Sequence, residues 1–185
     1  MEPQKMRKYL KLLTLLISTI LIATASAQVY KYMFMSATVG VKATDMSFVE
    51  GANFAEAGGE LLDNAQKVTF SAMNGEAGRL ITYLDPVGIN NANATAGHLI
   101  ELKLDSWTGI VSTPLFNITI TMYDGVTQKG ASIVLIPGDV GQVETSGDQT
   151  IPATTTWRVE WKVHWNGDAL LTDSVQVNLL LVIKS

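Results

Sequence analysis

The residues from Trp157 to Trp165 alternate between apolar and polar side chains without interruption. A period of two over this length is typical of a half-buried β-strand, because successive side chains leave the backbone on opposite faces. One face carries Trp157, Val159, Trp161, Val163 and Trp165, and the other carries Arg158, Glu160, Lys162 and His164. Each indole buries roughly 200 Å². We therefore predict that this strand centres the hydrophobic core, with its three tryptophans buried and its charged face in solvent.

The first 27 residues have the pattern of a secretory signal peptide. Basic residues precede or open an apolar run from Leu12 to Ala23, and the small residues Ala25-Ser26-Ala27 stand before Gln28. A basic head, a short apolar stretch and a small-x-small end are typical of a cleaved leader. The run is also shorter than the about 20 residues of a membrane span. We expect cleavage between Ala27 and Gln28, with an uncleaved anchor as the alternative and Met6 as an alternative start to Met1.

Composition excludes several classes of function. The chain of 185 residues has no cysteine, so it has neither a disulfide framework nor a thiolate metal site. Removing residues 1–27 takes away four of the 13 basic side chains and one of the 17 acidic ones, which leaves a net charge of −7. No basic patch remains, which argues against nucleic-acid binding.

The rest of the chain is predicted to consist of short strands separated by turns. Residues 45–66 are rich in glycine, alanine and acids, and predict a loop with a short helix from Gly59 to Ala65. Residues 88–97 and 138–156 predict further loops. Strands are predicted at 28–41, 67–73, 79–84, 98–104, 115–123, 131–136, 157–165 and 174–183, with turns at Asn74-Gly75, Asp85-Pro86, Asp124-Gly125 and Asn166-Gly167. Such a pattern predicts an all-β chain folded as a jelly-roll-like β-sandwich. One sandwich domain, 45–185, would follow an N-terminal strand, 28–44.

The N-terminal strand, directly after the leader, is apolar on both faces at its start. It pairs within its own chain through a long return connection, or it is donated to a neighbouring molecule with an open sheet edge, as in donor-strand complementation. Both alternatives stay open at this point. The residues expected to fill the acceptor groove are Val29, Tyr30, Met33, Phe34, Met35, Ala37, Val39 and Val41.

The sequence contains no recognisable catalytic or metal-binding motif. His98 and His164 are far apart, and no zinc-protease, nucleophile-elbow or phosphate-loop pattern occurs. We expect no enzyme activity, no cofactor and no obligatory metal. The carboxylate-rich loops 45–63 and 139–148 offer calcium-type oxygen ligands, but their spacing matches no known loop. Asn93-Ala94-Thr95 and Asn117-Ile118-Thr119 are N-glycosylation triplets, and the first is expected to be the more accessible.

The leader ending Ala25-Ser26-Ala27, the mature start Gln28-Val29-Tyr30, the absence of cysteine and the tryptophan-rich penultimate strand resemble the archaeal bundling pilins. These are extracellular fibre subunits similar to the bacterial TasA biofilm-fibre proteins. The resemblance covers residues 28–185 and rests on architecture. It implies a secreted subunit that polymerises head to tail by donating its N-terminal strand, and filaments that bundle laterally. Bacterial members have been labelled metallopeptidases, but this chain lacks a zinc-ligand cluster, so that activity is not carried over.

A second class of function remains in competition. A secreted carbohydrate-binding or cell-surface β-sandwich module, acting as a monomer, would place exposed aromatic rings in a flat row. We predict instead that Trp157, Trp161 and Trp165 are core residues and that Trp107 is the exposed indole.

Overall fold

The structure is a computed structural model that describes residues 32–40, 45–109, 116–136, 143–169 and 174–184. All of these belong to the unit Lys31–Ser185. The predicted signal peptide 1–27, its cleavage site at Ala27 and Gln28, and the predicted donor residues Val29, Tyr30 and Val41 lie outside the described residues. Within the described ranges no helix has the length and apolarity to cross a membrane.

The described residues form eleven β-strands and no α-helix, which confirms the all-β class. The strands are β1 (Tyr32–Gly40), β2 (Met46–Glu50), β3 (Gly59–Leu62), β4 (Lys67–Glu76), β5 (Leu80–Asn91), β6 (His98–Gly109), β7 (Phe116–Asp124), β8 (Thr127–Leu135), β9 (Gln149–Ile151), β10 (Thr156–Trp165) and β11 (Ser174–Lys184). They form a larger sheet of order β3-β4-β1-β11-β6-β9 and a smaller one of order β2-β5-β10-β7-β8. Among these strands every neighbouring pair is antiparallel except β1 and β11, which run parallel.

The tryptophan strand β10 is the middle strand of the smaller sheet, between β5 and β7. The inner faces of the two sheets meet at its indoles. Phe70 of the larger sheet packs edge-on to Trp161 at 6.1 Å between ring centroids. Phe116 lies 5.3 Å from Trp165 and 5.7 Å from Trp107 of the larger sheet. The predicted centre of the core is therefore where the two sheets pack together.

Two predicted turns are wrong because the strands run through them. β4 continues past Asn74-Gly75 to Glu76, and the chain turns instead at Gly78, where φ is +76°. β5 also continues through Asp85-Pro86. At this point its pairing with β10 shifts, and the paired β5 residue changes from Val87 to Tyr83 across a single β10 residue. The resulting bulge holds Pro86 in a place where the ladder does not need its missing N–H.

The prediction of a loop with a short helix over residues 45–66 is also wrong. This segment contains β2 and β3, and β3 forms a hairpin with β4. Asp63, Asn64 and Ala65 all have positive φ, from 52° to 62°, which turns the chain between these strands. Asp and Asn tolerate this left-handed region better than other residues with side chains. The predicted hairpin at Asp124-Gly125, in contrast, is confirmed as the connection between β7 and β8.

Part of the segment predicted as a loop at 138–156 joins the two sheets. The N–H of Ser146 donates to the carbonyl of Leu102 on β6 at 2.8 Å, and the N–H of Ala131 on β8 donates to the carbonyl of Ser146 at 2.9 Å. The buried Ser146 hydroxyl also accepts the N–H of Leu102 at 2.9 Å. Residues 143–148 therefore cover edges of β6 and β8 that would otherwise expose unpaired backbone groups.

Candidate assembly site in the larger sheet

The N-terminal strand β1 lies inside the larger sheet rather than at its edge. We call the position between β4 and β11 that it occupies the β1 slot. One side of β1 pairs with β4, from Tyr32 opposite Glu76 to Gly40 opposite Lys67. The other side pairs with β11, from Phe34 opposite Ser174 to Gly40 opposite Leu180. In this chain β1 is thus paired intramolecularly, and its backbone has a partner strand on each side.

The register places the predicted set of apolar residues opposite the core. Met35 lies between Met73 and Val175, Ala37 between Phe70 and Val177, and Val39 between Val68 and Leu179. All six of these neighbours on β4 and β11 are buried, as is Ala37 itself. Met33 pairs with the buried Gly75, whereas Phe34 lies on the other parity, opposite Asn74 and Ser174. The register thus places Met33, Met35, Ala37 and Val39 opposite buried residues, and Phe34 on the other parity.

At the Met33 end of the slot, an indole from the opposite sheet takes the space of a missing side chain. A Cβ atom on Gly75 would lie 1.8 Å from Cδ1 and 2.0 Å from Nε1 of Trp165. The exposed fractions of Trp157, Trp161 and Trp165 are 1%, 0% and 1%, and their Nε1 atoms have no hydrogen-bond partner in the described part of the chain. These indoles therefore act as apolar bulk beneath the larger sheet.

The chain after β1 is held at Asp45 by a cluster of polar side chains. His98 Nε2 lies 2.6 Å from Asp45 Oδ2, and Asn93 Nδ2 donates to the same oxygen at 2.9 Å. The carbonyl of Asp45 accepts the N–H of Ala92 at 2.8 Å. The hydrogen bonds from Asn93 and His98 hold the pKa of the Asp45 carboxyl below its ordinary value. Residues 41–44, which link Gly40 to this cluster, lie outside the described residues.

Sequence reasoning missed the Asp45 cluster, and it left His98 without a role. Asp45 is separated from Asn93 by 48 residues and from His98 by 53 residues. No short-range spacing therefore signals the contact. His98 opens a predicted strand, whereas Asp45 and Asn93 lie in two separate predicted loops, so the sequence pattern does not indicate that the three side chains meet.

The outer face of β10 carries a set of ion pairs. One member of the set was predicted to be exposed but is buried. Glu160 is 4% exposed, with Lys162 Nζ 2.9 Å from its Oε1 and Arg158 Nη1 3.3 Å from its Oε2. Burial raises the pKa of Glu160, but the hydrogen bonds from Lys162 and Arg158 outweigh burial and lower it. Arg158 also stacks over the ring of Tyr123, 4.2 Å from its centroid. Arg158, Glu160 and Lys162 therefore form a charge network on this face of the sheet.

His164 is exposed at the end of this face, where it could be considered as a general base. Its register partners are Leu80 on β5 and Asn117 on β7, neither of which offers a nucleophile. Nucleophilic catalysis needs a hydroxyl or thiol within hydrogen-bond reach of the base. The strand pairing around His164 therefore gives no support to a hydrolytic site.

The carboxylates near the second carboxylate-rich loop, 139–148, are paired with a lysine. Lys184 Nζ lies 2.9 Å from Glu101 Oε2 and also contacts Asp148 Oδ1. The hydroxyl of Thr145 and the ammonium of Lys184 lower the pKa of Glu101. Across the described ranges, no group of three or more His, Asp or Glu side chains is arranged to hold a metal ion.

The predicted glycosylation residues lie in different settings. Asn93 is in the loop between β5 and β6, and Asn117 is the second residue of β7. Trp107, expected to be exposed, is instead half-buried against Phe116, so none of the four tryptophans is exposed.

No protein-family model matches the chain, and no curated protein matches it.

Proposed function

We propose that the chain is a structural subunit of an extracellular filament, a pilus or a biofilm matrix fibre, without catalytic residues or cofactor. In this proposal β1 of one subunit occupies the β1 slot of the next, and the filaments bundle laterally. The leader 1–27 is removed during export, and the two sheets form a jelly-roll-like sandwich completed by the donated strand. The observation that carries the proposal is the place of β1, a terminal strand at the centre of a sheet.

The connectivity of β1 supports exchange between subunits. Consecutive strands in a chain are usually neighbours in a sheet, but β1 has β4 and β11 as neighbours, and β2 lies in the other sheet. None of the other pairings, such as β3 with β4 or β11 with β6, passes through β1. A terminal strand of this kind enters the slot from any copy of the chain without threading a loop, as in domain swapping.

The energetics of the slot are the same for a strand from the same chain and for one from a neighbour. Each apolar side chain that is fully buried there is worth about 1.5–3 kcal/mol, and β4 and β11 supply backbone partners on both sides. Because these contacts are common to both states, the tether 41–44 and the subunit concentration decide between them. Head-to-tail contacts that do not close into a ring produce a filament.

Deletion of residues 28–41 tests the proposal. We expect the truncated protein to form no filaments by electron microscopy and to bind a synthetic peptide of residues 28–41, which raises its unfolding temperature. The matched control is the same peptide with Ala37→Asp, which places a charge at a buried position and should not bind. Filaments of native appearance from the truncated protein would refute the mechanism. Equal stabilisation by the two peptides would refute the role of the slot.

The alternative function, a monomeric carbohydrate-binding module, is not favoured by the positions of the indoles. Its sugar platform requires a row of exposed aromatic rings, and the three indoles of β10 are buried beneath the larger sheet.

A further inference from the structure

The loop between β5 and β6 carries a glycosylation triplet that strand exchange does not use. We propose that Asn93 is N-glycosylated during export, whereas Asn117 is not. The sugar donor is a lipid-phosphate-linked oligosaccharide: Nδ2 of Asn93 forms a bond to the anomeric carbon, the bond from that carbon to the phosphate oxygen breaks, and Nδ2 loses one proton to a base. The inference rests on the export that is part of the proposed function.

The side chain of Asn93 is fixed in a tight turn. Its Oδ1 accepts the N–H groups of Thr95 and Ala96, both at 2.9 Å, and lies 3.3 Å from the hydroxyl of Thr95. The triplet therefore folds back on itself, with the hydroxyl of its third residue beside the amide of its first. This brings together the two side chains that define the triplet as an acceptor.

The second half of the amide leaves room for the sugar. Nδ2 is a primary amide nitrogen with two N–H bonds, and it donates to Asp45 Oδ2 at 2.9 Å. A glycosylated asparagine keeps one N–H, so the product retains a donor for Asp45. Oδ1 is not altered by the reaction, so the turn also persists. The product thus keeps a donor and an acceptor of the kind that the unmodified side chain uses.

The surroundings of Asn93 are small and open. Ala92, Ala94, Thr95, Ala96 and Gly97 are all exposed, and none has a side chain larger than that of threonine. A bulky hydrophilic substituent at Asn93 therefore projects from a loop of small residues.

Asn117 offers a contrasting environment. It lies on β7, opposite His164 of β10. Asn117 is half-buried, as Asn93 is, so the two sites differ in backbone setting and not in burial. The next residue, Ile118, pairs with Leu135 of β8 and is fully buried, so the triplet is extended and held in the sheet. The hydroxyl of Thr119 also reaches Asn117 Oδ1, at 3.5 Å, but it does so along an extended strand and not from a turn like the one at Asn93.

Tryptic peptide mapping of protein from the native host separates the two triplets. Asn93 falls in peptide 80–103 and Asn117 in peptide 104–129, because Arg79, Lys103 and Lys129 bound them. We expect sugar mass on most copies of peptide 80–103, with fragment ions that place it on Asn93, and the unmodified mass for peptide 104–129. An unmodified peptide 80–103, or sugar on Asn117, would overturn the inference.

Two variants of Thr95 distinguish enzymatic transfer from adventitious glycation. Thr95→Ala keeps Asn93 and its bond to Asp45 but removes the acceptor hydroxyl, so it should abolish the modification. Thr95→Ser keeps the hydroxyl and should retain it, and sugar on the alanine variant would contradict the inference. Intact mass of the same samples reports whether residues 1–27 are absent. An unglycosylated chain without its leader overturns this inference alone, whereas an unglycosylated chain that keeps the leader also overturns the removal of the leader on which the proposed function depends.

Discussion

Gly75→Ala is the sharpest test of the packing beneath the β1 slot. The added methyl group would lie 1.8 Å from Trp165 Cδ1, so the indole must move by about 1.6 Å to reach the 3.4 Å of an ordinary contact. It has little freedom to do so, because Phe116 packs against its ring at 5.3 Å and its carbonyl accepts the N–H of Gly78 at 2.8 Å. Overpacking of a rigid core costs typically 1–3 kcal/mol. We expect a loss near about 3 kcal/mol, which corresponds to roughly 6–12 °C in Tm for a domain of this size.

Urea unfolding of the mature chain, followed by tryptophan fluorescence, measures this loss. The matched control is Gly167→Ala, since Gly167 is exposed and an added Cβ there meets nothing within 4 Å. It should change the free energy of unfolding by less than about 0.5 kcal/mol. Combining Gly75→Ala with Trp165→Phe should give a smaller loss than the sum of the single variants, because the smaller ring relieves the clash. Equal stability of Gly75→Ala and Gly167→Ala would refute the close approach of Gly75 and Trp165.

Two further predictions concern charged groups. The hydrogen bonds from Asn93 and His98 hold the folded-state pKa of Asp45 below its ordinary value, so its carboxylate stabilises the fold above that ordinary pKa, and this contribution is lost as the pH falls through the folded-state pKa. Asp45→Asn should therefore lower the urea midpoint at about pH 6, and the difference from the parent chain should shrink as the pH falls below the ordinary pKa of aspartate; identical midpoints at pH 6 would contradict this. Glu160→Gln leaves Arg158 and Lys162 without their carboxylate and should cost about 1–3 kcal/mol. A loss no larger than that of the exposed Glu60→Gln in the same assay would refute the network.

The strands that could be predicted are those with strong two-residue periodicity. β10 alternates throughout, and β11 alternates over its first half. Their predicted bounds lie within one residue of the observed ones. Asn74-Gly75 and Asp85-Pro86 misled the prediction because their local preference for turns is overridden by tertiary packing: Trp165 fills the space above Gly75, and a bulge absorbs Pro86. β3 was missed because a four-residue strand gives no periodic signal.

The candidate site was only partly readable from the sequence. Met33, Met35, Ala37 and Val39 belong to the set predicted for the N-terminal strand, and the register of β1 places these four residues opposite buried neighbours. The identity of the two neighbouring strands could not be predicted, since pairing over such sequence separations depends on the topology of the whole sheet. The long-range contact of Asp45 with His98 was unpredictable for the same reason.

The pairing of β1 on both of its sides, with β4 and with β11, has a mechanical consequence for a fibre made in the proposed way. Hydrogen bonds between strands lie across the strand direction. Tension that pulls β1 along its own axis therefore loads the pairs from Phe34 to Gly40 together, on both sides, in shear. A strand peeled sideways from an edge would instead lose its pairs one at a time. Rupture of such a joint would be governed by the rate of unfolding under load rather than by equilibrium affinity, so a subunit joint of modest affinity would still be strong along the fibre.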